Sequence, residues 1–208
     1  SDQAGTITYG GSCSSVTTSA ISGNTTITLI SLSDGTYSDC TVTVTDTASN
    51  SVTLNMSSFT IDTTAPVVSS FTLSDYIIKT DDNTVVTLVF SEAVASFSSA
   101  DITSPNGNLA AMTSLDNITW QGIFTPTAGE EDWSNFFYLN TNYTDTVGNT
   151  GTAATTANYE VDTVAPSVNS VAITDADGDQ THGVYGFVNA GDNVSVTATF
   201  REAVIVDN

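Results

Sequence analysis

The sequence predicts an all-β chain made of antiparallel β-sandwich domains. Apolar and polar residues alternate with period two, as in residues 194–200 (Val-Ser-Val-Thr-Ala-Thr-Phe), which is typical of strands with one buried face. Turn clusters such as residues 22–24 (Ser-Gly-Asn) separate these stretches at the intervals of a sandwich. No stretch of a dozen residues shows helical periodicity.

Internal repetition sets the size of the domains. Three motifs occur twice: residues 62–66 (Asp-Thr-Thr-Ala-Pro) and 162–166, residues 46–50 (Asp-Thr-Ala-Ser-Asn) and 145–149, and residues 90–94 (Phe-Ser-Glu-Ala-Val) and 200–204. The first two pairs are 100 and 99 residues apart, and the third is 110 apart. The last repeat has therefore gained ten residues, which fall at 175–186. A repeat of about 100 residues has the size of a small β-sandwich.

This spacing divides the chain into three units. Residues 1–62 are predicted to be a repeat without its first strand, residues 63–162 a complete repeat, and residues 163–208 the N-terminal part of a further one. The chain is then a window on a longer tandem array, whose partners are neighbouring repeats of the same chain. In the alternative, the missing strands come from a neighbouring subunit by strand addition.

The charge excludes two classes of partner. The chain has 23 acidic residues and 2 basic ones, a formal net charge of −21. Almost no cations are available to displace phosphate counterions, which excludes nucleic-acid binding through a basic face, and attachment to an anionic membrane surface is disfavoured. No run approaches the roughly 20 apolar residues that cross a bilayer, so no membrane insertion is expected in this segment.

Cys13 and Cys40 are the only cysteines. Cys40 has the strand parity of Val42 and Val44, and Cys13 has that of Ile7 if that strand continues unbroken, so both are expected on the core face. A disulfide between them is predicted, with a stabilisation of roughly 3 kcal/mol. Two buried free thiols are the alternative. The bridge implies an oxidising compartment.

Three carboxylates are predicted to meet at the first linker. In a seven-stranded sandwich, the loop after the second strand and the loop before the last strand both lie near the preceding linker. Those loops hold Glu92 and Asp145, which should approach Asp62 of the linker. Converging carboxylates repel one another unless a cation lies between them, and hard oxygen ligands suit Ca²⁺. A solvated acidic junction without metal is the alternative.

The same reasoning predicts two further calcium sites. Glu202 should approach Asp162 at the second linker. In the ten-residue insertion, Asp175, Asp177 and Asp179 alternate around a glycine and could wrap a cation for a following junction, although the Glu that closes an EF-hand is absent. A plain acidic turn is the alternative for the insertion.

The motifs resemble those of a known family. The Asp-Thr-x-Ala-Pro linkers, the Phe-Ser-Glu-Ala-Val segment, residues 124–129 (Phe-Thr-Pro-Thr-Ala-Gly) and Asp-x-x-Gly-Asn near the domain end look like bacterial Ig-like repeats of giant cell-surface adhesins. The resemblance covers almost the whole chain. It implies an immunoglobulin-like sandwich fold, an extracellular location at the cell surface, and a structural role in the stalk of an adhesin or filament. Identical subunits in a filament, or a surface ligand bound elsewhere in the full protein, are further expected partners.

The sequence gives little support for a catalytic function. His182, the only histidine, lies in the polar insertion, and nothing ties it to a nucleophile and an orienting carboxylate. The chain is therefore predicted not to be an enzyme. Trp120 and Trp133 could line a carbohydrate platform, but their setting among alternating strands predicts packing in or against the core. The alternative functions are a glycan- or protein-binding module and a non-catalytic appendage of an exported hydrolase.

Overall fold

A computed structural model describes residues 3–175 and 194–206. These residues form twenty β-strands and a single 3-10 turn at Ser99–Asp101, without any α-helix. The strand pairs are antiparallel with one exception in the described part of the chain. The predicted all-β class is therefore confirmed. The described segments contain no helix with the length and apolar character needed to cross a membrane.

Residues 3–62 contain six strands. They are β1 (Gly5–Gly10), β2 (Ser19–Ala20), β3 (Gly35–Tyr37), β4 (Thr41–Asp46), β5 (Ser51–Asn55) and β6 (Phe59–Ile61). One sheet has the order β2-β1-β4-β5, and β3 pairs with β6. The register places Ile7 opposite Val44, and Val44 opposite Val52. Because side chains alternate along a strand, one face of this sheet is apolar and the other carries threonines.

The predicted disulfide is confirmed. Cys13 and Cys40 are bonded, with their Cα atoms 5.3 Å apart and a sequence separation of 27. Both side chains are buried. The bridge joins the turn after β1 to the start of β4 and so closes the part of the chain that contains β2 and β3.

Residues 63–162 contain twelve strands, which we call the central domain. They are β7 (Val68–Leu73), β8 (Ile77–Lys79), β9 (Thr84–Phe90), β10 (Val94–Ala95), β11 (Ile102–Thr103), β12 (Gly107–Leu109), β13 (Thr119–Pro126), β14 (Glu131–Asn135), β15 (Tyr138–Leu139), β16 (Thr144–Asp145), β17 (Ala154–Thr155) and β18 (Tyr159–Asp162). One sheet has the order β12-β13-β9-β7, and the other layer is made of β14-β18-β8, β11-β15-β17 and β10-β16. The pair of β8 with β18 is parallel. This is the predicted Ig-like sandwich.

An aromatic cluster joins the two layers of the central domain. The ring of Phe137 lies 5.0 Å from that of Phe124 on β13 and 5.0 Å from that of Tyr159 on β18. All three side chains are fully buried. Phe71 on β7 approaches Phe137 at 6.3 Å and extends the cluster across the sandwich. The core therefore lies between the sheets, where the alternating apolar positions of both layers point.

The two tryptophans have different environments. Trp120 packs against the core, with its ring 4.9 Å from that of Phe97. Trp133 is 55% exposed. The prediction of core packing is thus confirmed for Trp120 and wrong for Trp133. The reason is the pairing of β14 with β18: Asp132 lies opposite the buried Val161, so regular alternation along the strand places the next residue, Trp133, on the outer face.

The last described strands form a hairpin with the geometry of the first strands of the central domain. β19 (Val168–Asp175) pairs with β20 (Val194–Phe200). The register shifts between Val168 and Ser170, as it does between Val68 and Ser70 where β7 pairs with β9. We call β19 and β20 the C-terminal hairpin.

Candidate functional site

Three acidic side chains meet where the first linker reaches the central domain. Asp62 directly follows β6, Glu92 lies in the turn between β9 and β10, and Asp145 ends β16. One carboxylate oxygen of each residue lies within 4.8 Å of those of the other two. Asp145 is buried, while Asp62 and Glu92 are partly buried. The structure therefore brings together the three residues that strand direction predicts to meet near the first linker. We call them the linker triad.

A tight loop orients Asp145. Its Oδ1 accepts hydrogen bonds from the backbone N–H groups of Val147 (2.9 Å), Gly148 (2.7 Å) and Asn149 (2.9 Å), and its Oδ2 accepts one from Asn149 Nδ2 (2.7 Å). Gly148 has a φ of 105°, which a residue with a Cβ rarely adopts. Burial alone would raise the pKa of Asp145, but these donors together hold it below its usual value.

The matching motif in residues 46–50 forms the same loop. Asp46 Oδ1 accepts hydrogen bonds from the N–H groups of Ala48 (2.9 Å) and Asn50 (2.8 Å), and Asn50 Nδ2 donates to Asp46 Oδ2 (2.9 Å). Ser49 takes the place of Gly148 and also has a positive φ, 71°. Two segments that share a sequence motif thus share one hydrogen-bonding pattern, which supports their assignment as equivalent parts of two domains.

The linker itself is held from both sides. Asn149 Nδ2 donates to the backbone oxygens of Asp62 (3.0 Å) and Thr64 (3.3 Å), so the central domain grips it. From the other side, Asp34 accepts hydrogen bonds from Thr63 N (3.1 Å), Thr63 Oγ1 (2.8 Å) and Thr64 Oγ1 (3.0 Å). The Thr63 donors, then that of Thr64, lower the pKa of Asp34 below its usual value.

Neither Asn149 nor Asp34 was predicted from sequence to bind the linker. Asn149 lies inside a repeated motif, and that repetition is the signal that could have found it. Asp34 lies in a Ser-Asp-Gly turn, a pattern that indicates a turn but says nothing about a contact with a linker 29 residues away.

Glu92 is the member of the linker triad under electrostatic strain. Burial raises its pKa above the usual value, and the charges of Asp62 and Asp145 raise it further. An acid whose pKa is raised by folding disfavours the folded state once it ionises. Stability is therefore lost as pH rises from the ordinary glutamate pKa through the raised one. A cation among the three carboxylates would reverse this effect.

Replacing Asn149 with alanine is expected to lower the free energy of unfolding of the central domain by about 1–3 kcal/mol. The buried Asp145 carboxylate would lose a hydrogen-bond donor, and the backbone oxygen of Asp62 in the linker would lose its hydrogen bond to Asn149. Urea denaturation followed by tryptophan fluorescence measures this, since both tryptophans lie in the central domain. Asn142→Ala, at an exposed position nearby, is the matched control. Equal effects of the two variants would contradict the bridging role.

The second linker repeats part of this arrangement. Asp162 Oδ1 accepts a hydrogen bond from Val164 N (3.2 Å), as Asp62 Oδ1 does from Thr64 N (3.0 Å). Glu202 follows β20 as Glu92 follows β9. Among residues 3–175 and 194–206, however, only the linker triad forms a group of three metal-ligating side chains. A calcium site at Asp162 and Glu202 therefore stays a prediction.

Thr163 shows how the second linker docks on the central domain. Its Oγ1 donates to the backbone oxygen of Thr127 (2.8 Å) and accepts from Glu130 N (2.8 Å), and its own N–H donates to Glu130 O (2.8 Å). Thr80 Oγ1 donates to the Thr163 oxygen (3.2 Å). The threonine after the linker aspartate thus contacts the preceding unit at both linkers, through the side chain of Asp34 at the first and through backbone groups at the second.

The structure describes only one of the three residues of the predicted calcium site in the insertion. Asp175 ends β19, and Asp177 and Asp179 lie outside the described residues. Calcium binding by these three aspartates stays a prediction.

Comparison with known protein families finds a match over the central domain. Residues 62–161 match the family model of a bacterial Ig-like domain. No curated protein and no solved structure matches the chain. The matched residues begin at the linker aspartate and end one residue before its counterpart in the second linker. The match supports a bacterial Ig-like repeat over the central domain.

Proposed function

We propose, taking the bacterial Ig-like match over residues 62–161 as the premise, that the chain is a structural segment of tandem Ig-like domains in a large cell-surface adhesin or filament. Its role is that of an extracellular stalk whose linkers are stiffened by calcium. Domains of this family are generally non-catalytic, which favours a structural or binding role. The disulfide between Cys13 and Cys40 fits an oxidising, extracellular environment.

The observation that carries the calcium part of this proposal is the linker triad. Its carboxylate oxygens lie within 4.8 Å of one another and come from the linker and from two loops of the central domain. Ca²⁺ takes six to eight oxygen ligands in flexible geometry, so three carboxylates with backbone oxygens and waters can supply its shell. The chain has only two basic residues to neutralise its acids, which leaves a cation as the natural counter-charge.

Calcium bound there would act on the angle between domains. Asp34 and Asn149 already hold the linker through hydrogen bonds, and a metal shared by Asp62, Glu92 and Asp145 would add ionic bonds between the linker and the central domain. Extracellular modules bind Ca²⁺ with Kd values of roughly 10⁻⁴ to 10⁻³ M, so such a site would respond to millimolar calcium outside cells. The stalk would then be stiff in calcium and more flexible without it.

Calcium at 10 mM is expected to raise the free energy of unfolding of the central domain by about 1–3 kcal/mol relative to EDTA, as mass action predicts for these Kd values. Small-angle scattering in the same two buffers should show a more extended, less variable particle with calcium. In the Glu92→Gln variant, both calcium responses should be largely lost. In EDTA this variant should be more stable than the wild type at neutral pH, because a repelled charge is removed.

Glu160→Gln is the matched control, since it removes one negative charge from β18 and leaves the linker triad intact. Its calcium response should equal that of the wild type. Identical scattering and unfolding curves in EDTA and in calcium would overturn calcium stiffening. The proposed structural role of the domains would then rest on the repeat organisation alone.

A second candidate function is favoured by one observation. Trp133, Phe136 and Tyr138 are all exposed on or beside β14 and β15 of the central domain. Exposed aromatic side chains of this kind bind sugar rings and protein partners. Binding of the chain to a glycan array, lost on changing Trp133 with the fold intact, would favour a binding module over a plain spacer.

A further inference from the structure

The exposed aromatic side chains of the central domain are concentrated in one short stretch. They are Trp133, Phe136 and Tyr138, which are 55%, 52% and 42% exposed. No other aromatic side chain within residues 3–175 and 194–206 is exposed. At about 3.3 Å per residue, the Cα atoms of the three span at most about 17 Å. Large aromatic side chains grouped at the surface in this way indicate a place where a partner binds.

The three rings lie on the outer side of one layer of the sandwich. Phe136 and Tyr138 point away from the core, because their neighbours Phe137 and Leu139 are fully buried. Trp133 lies on β14 and Tyr138 on β15, and both strands belong to the layer that also contains β18 and β8. The rings therefore face solvent on the same side of the central domain.

Carboxylates lie among these rings. The pairing of β14 with β18 and of β18 with β8 places Glu160 between Trp133 and the exposed Ile77. One position further along, Glu131 lies directly opposite Asp162. Like charges directly opposite each other destabilise a sheet unless a positive charge lies between them. We define the aromatic face as Trp133, Phe136, Tyr138, Glu131 and Glu160.

The charge of the chain limits which partners fit this face. Lys79, opposite Asp162 on β8, is the only lysine, and Arg201 is the only arginine. A second copy of the chain thus has almost no positive charge to offer, and an anionic partner would be repelled. A neutral glycan can stack on the rings but would leave the carboxylates without a counter-charge. A partner with basic side chains satisfies both the rings and the acids.

We propose that the aromatic face binds an extended, arginine-rich segment of a partner protein. A guanidinium group can stack on an aromatic ring and also pair with a carboxylate, which an ammonium group does less well. Alternate side chains of an extended segment are about 6.6 Å apart, so the span of the three rings has room for up to three arginines. The inference names the partner for the second candidate function and rests on that function.

Fluorescence anisotropy of a labelled peptide with alternating arginine and glycine tests this with the full chain, in EDTA and about 0.15 M NaCl. A peptide of equal length with lysine in place of arginine measures the general attraction of the net charge of −21. The wild type should bind the arginine peptide about three- to tenfold more tightly than the lysine peptide. Equal affinities, or no saturable binding up to about 1 mM arginine peptide, would overturn the inference.

Two variants locate the binding. Trp133→Ala should abolish the preference for arginine over lysine, because the stacking surface is lost. Glu160→Gln should weaken binding of the arginine peptide by about two- to fivefold. Urea denaturation followed by fluorescence of Trp120, which packs against the core, checks that both variants fold. An unchanged arginine preference in folded Trp133→Ala would overturn the inference.

Two matched controls change exposed positions outside the aromatic face. Ile123→Ala removes a side chain that is 54% exposed on β13, in the other layer. Asp81→Asn removes one exposed charge from the turn after β8. Both variants should bind the two peptides as the wild type does. Losses equal to those of Trp133→Ala and Glu160→Gln would show that binding is spread over the surface, which would also overturn the inference.

A glycan array probed with the same proteins separates this inference from the function on which it rests. Glycan binding that depends on Trp133, without a preference for the arginine peptide, would overturn the arginine-rich partner and keep the binding module. A chain that binds neither probe would overturn both. Arginine preference that depends on Trp133, with no glycan bound, is the result expected.

Discussion

Replacing Phe137 with alanine is expected to lower the free energy of unfolding of the central domain by about 3–5 kcal/mol. Phe137 is fully buried and lies between the two layers, with ring contacts to Phe124, Tyr159 and Phe71. Its removal leaves a cavity and breaks three aromatic contacts, so the cost exceeds that of transfer alone. Such a loss is a large part of the stability of a 100-residue domain.

The adjacent residue provides a matched control for this effect. Phe136 is 52% exposed and points away from the core, so Phe136→Ala should cost well under 1 kcal/mol. Urea denaturation monitored by fluorescence of Trp120 and Trp133 reports the central domain for both variants. Similar losses for the two phenylalanines would show that the sandwich core lies elsewhere.

Loss of the disulfide is expected to destabilise the N-terminal segment by about 3–4 kcal/mol. The bond between Cys13 and Cys40 closes a loop with a sequence separation of 27, and the chain-entropy relation gives this magnitude for a loop of that length. The segment has few other buried apolar residues, with Ile7 and Ala20 beside the two cysteines. We therefore expect the Cys13→Ala, Cys40→Ala double variant to unfold this segment at moderate temperature.

Scanning calorimetry combined with tryptophan fluorescence separates this effect from damage to the central domain. The double variant should lose the unfolding transition of the N-terminal segment, whereas the fluorescence transition of the central domain should stay in place. Wild-type chain treated with a reducing agent should behave like the double variant. Unchanged transitions after reduction would mean that the bridge contributes nothing to folding.

Several features of the fold were correctly predicted because they depend on local alternation and on strand direction. Period-two patterns such as residues 194–200 predict strands, and β20 occupies that stretch. The meeting of Asp62, Glu92 and Asp145 follows from the same logic, since strand direction decides the pole at which each loop lies. The pairing of Cys13 with Cys40 was predicted from parity, with free thiols as the alternative that the structure excludes.

The exposure of Trp133 shows where this reasoning fails. Alternation alone does not say which face of a strand packs inward, and in β14 that face is set by the pairing with β18, where Asp132 lies opposite the buried Val161. Trp133, the next residue, therefore lies on the outer face. Residue order does not reveal this pairing, because the two strands are far apart in the sequence. An aromatic residue expected in or against the core thus lies on the surface.

The contacts of the linker also lay beyond prediction from residue order. Asn149 reaches Asp62 across 87 residues, and Asp34 reaches Thr63 across 29. Both are side-chain hydrogen bonds, whose partners depend on how two loops face each other. Motif spacing identified the loop that holds Asn149 but could not specify which backbone oxygens its amide would meet.

Residue order alone was sufficient for the all-β class, the 100-residue spacing, the cysteine pair and the gathering of acids at the first linker. Each of these follows from the two-residue period of a strand or from the direction in which it runs. Folding in three dimensions decided which side chains bind the linker and that Trp133 lies outside the core. These depend on how the strands pair and how the loops face each other, which are properties of the assembled sheets.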